Sequence, residues 1–233
     1  EATNNKEGVA AFVADRLHHW NWIPYLMGHG GQMFRNPPDD LMPAFDSAEA
    51  AEAAEWYARL LGEFSPQGVL SFSDDQAMRA QMSGRANIRT QAITWLTPLV
   101  GHAESKVTKT TRYALMPVGP KGNYPGSNSH GLGIPAGAKN KDAAWAFISW
   151  ALSKQMISRI VKEKSYGAVC RRSVITSELF TKSMTLNGDS VAPLFLQVLE
   201  LGGKTGHMKY RTVPVFPQVG DKINKAIERV VTK

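Results

Sequence analysis

The stretch from Gly131 to Trp150 changes character halfway along, from a short strand to a helix. Leu132 to Pro135 is typical of a strand and its exit, and the glycines and alanines after it are typical of a turn. A helix is predicted to open near Asn140, whose side chain can accept a hydrogen bond from a first-turn amide. Asp142 places a negative charge near the positive end of the helix dipole. Because its apolar residues recur at helical spacing, we predict that this helix packs onto a large neighbouring element.

The same alternation of short strands and longer helices recurs along the chain and is typical of an α/β fold. Strands are predicted over Val9 to Ala14, Ala86 to Ile93, Tyr113 to Met116 and around Leu132 to Ile134. Helices are predicted over Trp22 to His29, after Asp46, after Ser73, from Asn140, around Met156 to Val161, over Pro193 to Leu201 and around Val219 to Val230.

Capping residues fix several of the predicted helix ends. Asp46 with Glu49, and Ser73 with Gln76, have the spacing of a capping box. The glycine pair after Leu201 is predicted to stop its helix. The intervening segments 15–21, 119–130 and 166–173 are predicted to be loops, the second of them a hinge or a crossing between lobes.

Bulk composition excludes several classes of protein. The chain has 233 residues, 43% of them hydrophobic, and no apolar run approaches the roughly 20 residues of a membrane helix. Cys170 is the one cysteine, so an intrachain disulfide is impossible. The net charge of +7 raises the question of nucleic acid. The basic residues are scattered and lack a stacking motif, so a solvated basic surface is the better interpretation and no nucleic acid partner is expected.

The order of several short motifs resembles a known family. The segment IPAGAKNKDAAWAFISW follows the loop PVGPKGNYPGSNSHG, with GGQMF, FDSAEAAEAAEWYARLL and ITWLTPL before it and VPVFPQVGDKINKAI after it. This order is similar to that of the family 1 extracellular solute-binding proteins, the sugar-capturing components of bacterial ABC importers. The resemblance implies a two-lobed fold, a carbohydrate or polyol bound between the lobes, delivery to permease subunits, and membrane association through the permease only. It also implies a periplasmic or lipid-anchored location and no cofactor.

The resemblance also implies how the chain divides between lobes. Residues 1–130 and 178–233 would form the second lobe, and residues 131–177 would be the returning part of the first lobe. An export signal and most of the first lobe would precede residue 1 in such a protein, so we expect the sequence to be a fragment. The returning piece would then lack its partner sheet.

Two aromatic positions at predicted strand exits fit a sugar site. A sugar has an apolar ring face and a hydroxyl edge, so its site needs a flat aromatic group beside hydrogen-bonding groups. Trp20 and Asn21 supply both between a strand and a helix, although Trp20 could equally fill the core. Thr94 and Trp95 follow the next predicted strand, and the resemblance implies that this tryptophan stacks on the ligand.

The resemblance extends the candidate ligand-binding set to three more residues. His130 stands where many relatives have a tryptophan and could donate a hydrogen bond to a hydroxyl. Tyr166 and Arg171 lie in a loop that often reaches the cleft, and Arg171 could bind two hydroxyls, although a surface arginine is an equal alternative. The other tryptophans, at 56, 145 and 150, lie in amphipathic helices and are predicted to pack in the core or between lobes.

The sequence offers little support for a catalytic site or a metal site. The adjacent pairs Asp39–Asp40 and Asp74–Asp75 point in different directions, and the histidines lack HExxH or other ligand spacing. We therefore expect no enzyme activity and no metal. Two alternatives remain open: a carbohydrate-active enzyme with an aromatic cleft, and a binding protein for a non-sugar solute such as a peptide or polyamine.

Overall fold

A computed structural model describes residues 8–90, 92, 99, 103–127, 130–164, 167–206, 209–211 and 213–233. The strands are β1 (Ala10–Phe12), β2 (Phe34–Asn36), β3 (Asp40–Pro43), β4 (Ala86–Ile88), β5 (Thr185–Leu186) and β6 (Asp189–Ser190). The helices before residue 90 are α1 (His18–Asn21), α2 (Ile23–Gly28), α3 (Ala48–Glu63) and α4 (Asp74–Met82). Those after residue 140 are α5 (Lys141–Ala151), α6 (Lys154–Lys164), α7 (Arg172–Ile175), α8 (Glu178–Ser183), α9 (Ala192–Thr205) and α10 (Phe216–Val231).

The pair of parallel strands β1 and β4 organises the first half of the chain. Ala10 lies opposite Ala86, and Phe12 lies opposite Ile88. β2 with β3, and β5 with β6, form antiparallel pairs. Parallel strands joined through helices are the signature of an α/β fold, so the predicted class is confirmed. Both predicted strands of the parallel pair exist but are shorter than the apolar stretches that contain them.

The capping predictions had different outcomes. At α4 the Ser73 hydroxyl accepts from the Gln76 amide at 3.2 Å, and the Gln76 side chain accepts from the Ser73 amide at 2.7 Å. This capping box is confirmed. The prediction of Asp46 as the cap of α3 was wrong: Ser47 has the extended cap conformation and accepts from the Ala50 amide at 3.2 Å. Two neighbouring residues can both cap, and the backbone conformation decides between them.

Two predicted strands are absent from the described residues. The stretches 113–116 and 132–134 have no strand structure, and the Leu132 side chain is exposed. A strand exists through its ladder partner, and neither stretch has one among the residues described here. An apolar run alone was therefore a poor guide at these positions.

Three helix boundaries differ from the predictions. The segment 15–21 contains the helical turn α1, and α7 begins inside the predicted loop 166–173. α9 continues through Gly202 and Gly203 to Thr205 and is capped by Gly206, which has a left-handed φ of 63°. Gly202 is needed for close approach, since a Cβ there would lie 2.3 Å from the Ser127 Cβ.

Within the described ranges, buried apolar residues form two clusters. The larger joins the β1–β4 pair to α2, α3, α4 and α10, with Tyr57 completely buried. The second is formed by α6, α7, α8 and α9 around Phe180. The lobe boundaries predicted for residues 1–130, 131–177 and 178–233 stay a prediction.

Helix α5 exists where predicted, but its packing differs from the prediction. None of its residues is buried, and the side chains of Trp145, Phe147 and Trp150 are between 56% and 64% exposed. Asn140 makes no side-chain cap to it. Trp56 on α3 is also exposed, with the Arg59 guanidinium 5.6 Å from its ring centroid. Packing in the core is thus wrong for these tryptophans, because apolar periodicity does not reveal which face has a partner, whereas packing between lobes stays a prediction.

Substitution of Gly119 by alanine is expected to lower the free energy of unfolding by about 1–3 kcal/mol, a typical cost of overpacking. A Cβ at this position would lie 2.4 Å from the Gly28 carbonyl oxygen, and a backbone atom cannot swing aside. Urea denaturation measures the loss. Gly133→Ala is the matched control, since its Cβ would have no atom within 4 Å. Equal stabilities of the two variants would contradict this prediction.

In the part of the chain described, no helix is long and apolar enough to cross a membrane.

Candidate functional site

The polar residues of the candidate site follow the carboxyl ends of β1 and β4. The Val13 amide donates to the Ile88 carbonyl at 2.9 Å, which keeps the two chains adjacent beyond the strands. Asp15 and Arg89 are the first charged residues after their strands. Because the carboxyl ends of parallel strands lie at the same edge, the two side chains meet there.

Arg89 forms a buried ion-pair network at this edge. Its Nη2 donates to Asp15 Oδ2 at 3.2 Å and also to Asp74 Oδ1 on the first turn of α4. The Arg89 side chain is 1% exposed and that of Asp15 is 8% exposed. The network therefore fixes both strand ends to α4 before any ligand is present.

Asp15 also holds the segment that carries Trp20 and Asn21. Its Oδ1 accepts from the Leu17 amide at 2.9 Å and from Asn21 Nδ2 at 3.1 Å, and its carbonyl accepts from Asn21 Nδ2 at 3.2 Å. The Asn21 amide nitrogen is thus engaged within the protein. The predicted role of Asn21 in ligand binding stays a prediction.

His18 is buried behind this segment and contacts Tyr57. Its Nδ1 lies 3.3 Å from the Tyr57 hydroxyl, and the two rings meet edge to face. Burial lowers the pKa of His18 to about 4, with the Asp15 charge opposing and His19 reinforcing the shift. Burial raises the pKa of Tyr57 well above its usual value. Both groups are therefore neutral at pH 7. They support the segment that carries Trp20 and Asn21 through a hydrogen bond and an aromatic contact with each other.

His19 ties α1 to α10. The His19 amide donates to Asn224 Oδ1 at 2.8 Å, and its Nδ1 lies 3.0 Å from the same oxygen. Its ring packs edge to face on Phe216, and Gly220 leaves room for it. Burial lowers the pKa of His19, the Asn224 hydrogen bond opposes that shift, and Arg211 adds to it. The contact brings the start of α10 beside Trp20.

Trp20 is half-buried, and a guanidinium covers its ring. The Arg211 Cζ lies 3.8 Å from the Trp20 ring centroid and 4.8 Å from that of Phe216. A cation over an indole face is a favourable arrangement. The aromatic position predicted to meet a sugar ring thus carries an arginine on one face.

Of the other predicted site residues, the structure describes His130 and Arg171. His130 is exposed in the coil before α5. Arg171 is exposed and donates through Nε and Nη2 to the Leu152 carbonyl at 3.0 and 2.8 Å, which caps the end of α5. Thr94, Trp95 and Tyr166 lie outside the described residues. Trp20 and Asn21 are neighbours on α1, and the roles of all seven residues in binding stay predictions.

Two surface cavities lie away from the predicted residues. One, of about 590 Å³, is lined by Arg16, Leu70, Ser71, Lys225, Glu228, Arg229 and Thr232. The other, of about 250 Å³, is lined by Gly8, Ala10, Pro66, Gln67, Phe72, Ala80 and Arg85. Neither includes a predicted site residue, and the second lies at the opposite, amino-terminal end of β1. Buried polar residues at the carboxyl ends of parallel strands are the better indicator of a binding site.

Metal ligation finds no support in the described residues. No group of three or more His, Cys, Asp or Glu side chains among them could hold a metal ion. The acidic residues of the site are committed to Arg89 and to backbone amides. The arrangement can offer hydrogen bonds and aromatic surface to a neutral solute.

The chain belongs to the bacterial extracellular solute-binding protein family, which matches residues 1–156. This agrees with the order of motifs in the sequence. A mannitol-binding protein of Pseudomonas aeruginosa is 31% identical over 124 residues, covering 52% of this chain and 28% of the relative.

Solved structures share the fold. A solute-binding protein of an ABC transporter from Agrobacterium radiobacter, in complex with ribitol, superposes with a TM-score of 0.79 at 24% identity. The match covers 99% of this chain and 56% of that one. A protein from Agrobacterium vitis with bound D-mannitol has a TM-score of 0.63 at 18% identity, covering 97% and 62%. The chain thus spans a little over half the length of these structures.

Proposed function

We propose that this protein is the substrate-binding component of an ABC importer and captures a carbohydrate or polyol between two lobes. Family membership carries the proposal, supported by the superposition of 99% of the chain on a ribitol-bound solute-binding protein. Similar solute-binding proteins bind ribitol, D-mannitol, α-D-tagatose, maltose and acarbose. Ligand held between the lobes would stabilise a closed form that the permease subunits recognise.

The strand-edge network is suited to this task. Arg89, Asp15 and Asn21 hold the segment that carries Trp20 in place, so little conformational entropy would be lost if this segment contacts a solute. The site lacks a free carboxylate pair among its described residues, which favours binding over glycoside hydrolysis. We propose that the protein makes and breaks no bond, needs no cofactor and acts in the periplasm or anchored at the outer face of the cytoplasmic membrane.

Calorimetric titration of the protein at its native length tests the proposal. We expect saturable binding of one class among ribitol, D-mannitol, D-tagatose and maltose, with a dissociation constant of about 1 μM, which corresponds to about 8 kcal/mol. Bound ligand should also raise the melting temperature. Chromatography of the ligand after incubation should recover it unchanged. Absence of binding to the whole panel, or release of products from maltose, would contradict the proposal.

A further inference from the structure

The packing of α1 against α10 brings the Arg211 guanidinium over Trp20, the residue predicted to contact a sugar ring. His19 and Asn224 lock the two helices together, and the turn Lys209–Arg211 precedes α10. The Arg211 guanidinium then lies between the rings of Trp20 and Phe216, at 3.8 and 4.8 Å from their centroids. Two aromatic rings around one guanidinium hold it in a defined plane.

The charge of Arg211 is uncompensated by its described surroundings. Among the residues that the structure covers, no carboxylate pairs with Arg211 and none accepts a hydrogen bond from it. Asp15, the other charged residue that influences His19, is paired with Arg89. Arg211 is half-buried, so its side chain is partly accessible, and its guanidinium lies over the Trp20 ring. Its N–H groups are therefore donors without a hydrogen-bond partner among the described residues.

This arrangement distinguishes two forms of the proposed ligand. A pyranose ring binds an aromatic residue through its flat C–H face, which requires an open indole face. An open-chain polyol has no flat face but presents a row of neighbouring hydroxyl oxygens, which a planar fork of N–H donors can bind in pairs. With Arg211 over Trp20, the group presented on that side of the indole ring is the fork of guanidinium N–H donors.

We propose that Arg211 contacts the ligand directly and selects open-chain polyols over pyranose sugars. The inference rests on the proposed function, because it names the ligand form for that same site. Trp20 then serves as the support of Arg211 rather than as the stacking surface. Recognition comes from charge-assisted hydrogen bonds to adjacent hydroxyls.

Titration of Arg211 variants against ribitol, D-mannitol, maltose and methyl α-D-glucopyranoside tests this proposal at native chain length. Arg211→Ala should weaken polyol binding by about ten- to a hundredfold, the value of one or two hydrogen bonds to a charged group. The affinity of Arg211→Ala for maltose and methyl α-D-glucopyranoside should equal or exceed that of the wild type, since the Trp20 face is then open. Arg211→Lys keeps the charge without the fork and should lose an intermediate part of polyol affinity.

The controls separate this proposal from the proposed function. Arg35→Ala removes an exposed arginine on β2 and should leave all affinities unchanged. Equal loss of affinity for polyols and pyranosides in both Arg211 variants would mean that Arg211 is only structural, and would overturn the inference. So would unchanged polyol binding. A wild-type protein that binds nothing in the panel overturns the proposed function and this inference with it.

Discussion

Arg89→Met is expected to lower the free energy of unfolding by about 3 kcal/mol, the lower end of the range for breaking a buried ion pair. The substitution leaves the Asp15 carboxylate, 8% exposed, without its cation. It also removes the Arg89 contact of Asp74 on α4, whose side chain is 33% exposed and better solvated. The largest part of the loss therefore comes from Asp15.

Two features keep this loss at the lower end. Arg89 Nε and Nη1 are buried and have no hydrogen-bond partner within the described chain, so methionine removes two unsatisfied donors as well as a charge. Methionine also retains apolar volume in the site. The double variant Arg89→Met with Asp15→Asn should recover part of the stability, because it removes the uncompensated charge.

Guanidinium denaturation of the variants measures the effect. Arg159→Met is the matched control, since Arg159 pairs with Glu163 on α6 with both side chains at least half exposed. Such a surface pair contributes about 0.5 kcal/mol or less. A loss from Arg89→Met that is no larger than this control would show that the network is not a structural support of the site.

Local features were predictable from the sequence, whereas contacts between distant segments were not. The Ser73 capping box and the start of α5 depend on residues within one helical turn and were found directly. The strands proposed at 113–116 and 132–134 failed because a strand needs a partner that the sequence does not name. Gly202 looks like a helix stop locally, but it lies within α9, where Ser127 packs too closely to leave room for a Cβ.

In the candidate site, too, local features were predictable and contacts between distant segments were not. Trp20 and Asn21 were identified because they lie at a strand exit, but the supporting Asp15 and Arg89 were missed. A usable signal existed, since each is the first charged residue after a strand of the parallel pair. The Arg211 contact with Trp20 had no such signal, because it depends on how α10 packs against α1. Sequence chemistry thus finds the residues of a site more readily than their partners.

Acidification from pH 7 to pH 4 is expected to destabilise the protein through His18 by about 3 kcal/mol. Burial lowers the pKa of His18 to about 4 in the folded protein, against 6.5 for an ordinary histidine. Between these values the unfolded chain binds the proton and the folded protein does not, so stability falls as pH falls. Below pH 4 both states are protonated and this contribution has been lost in full.

The comparison of pH profiles isolates His18 from other titrating groups. His18→Gln removes the titration while keeping a polar group near Tyr57, so its unfolding free energy should fall less steeply between pH 6.5 and 4 than that of the wild type. Parallel profiles for wild type and His18→Gln would mean that His18 accepts a proton in the folded state. The assignment of His18 and Tyr57 as a neutral pair would then be wrong, since a buried imidazolium would need the Asp15 carboxylate, which now pairs with Arg89.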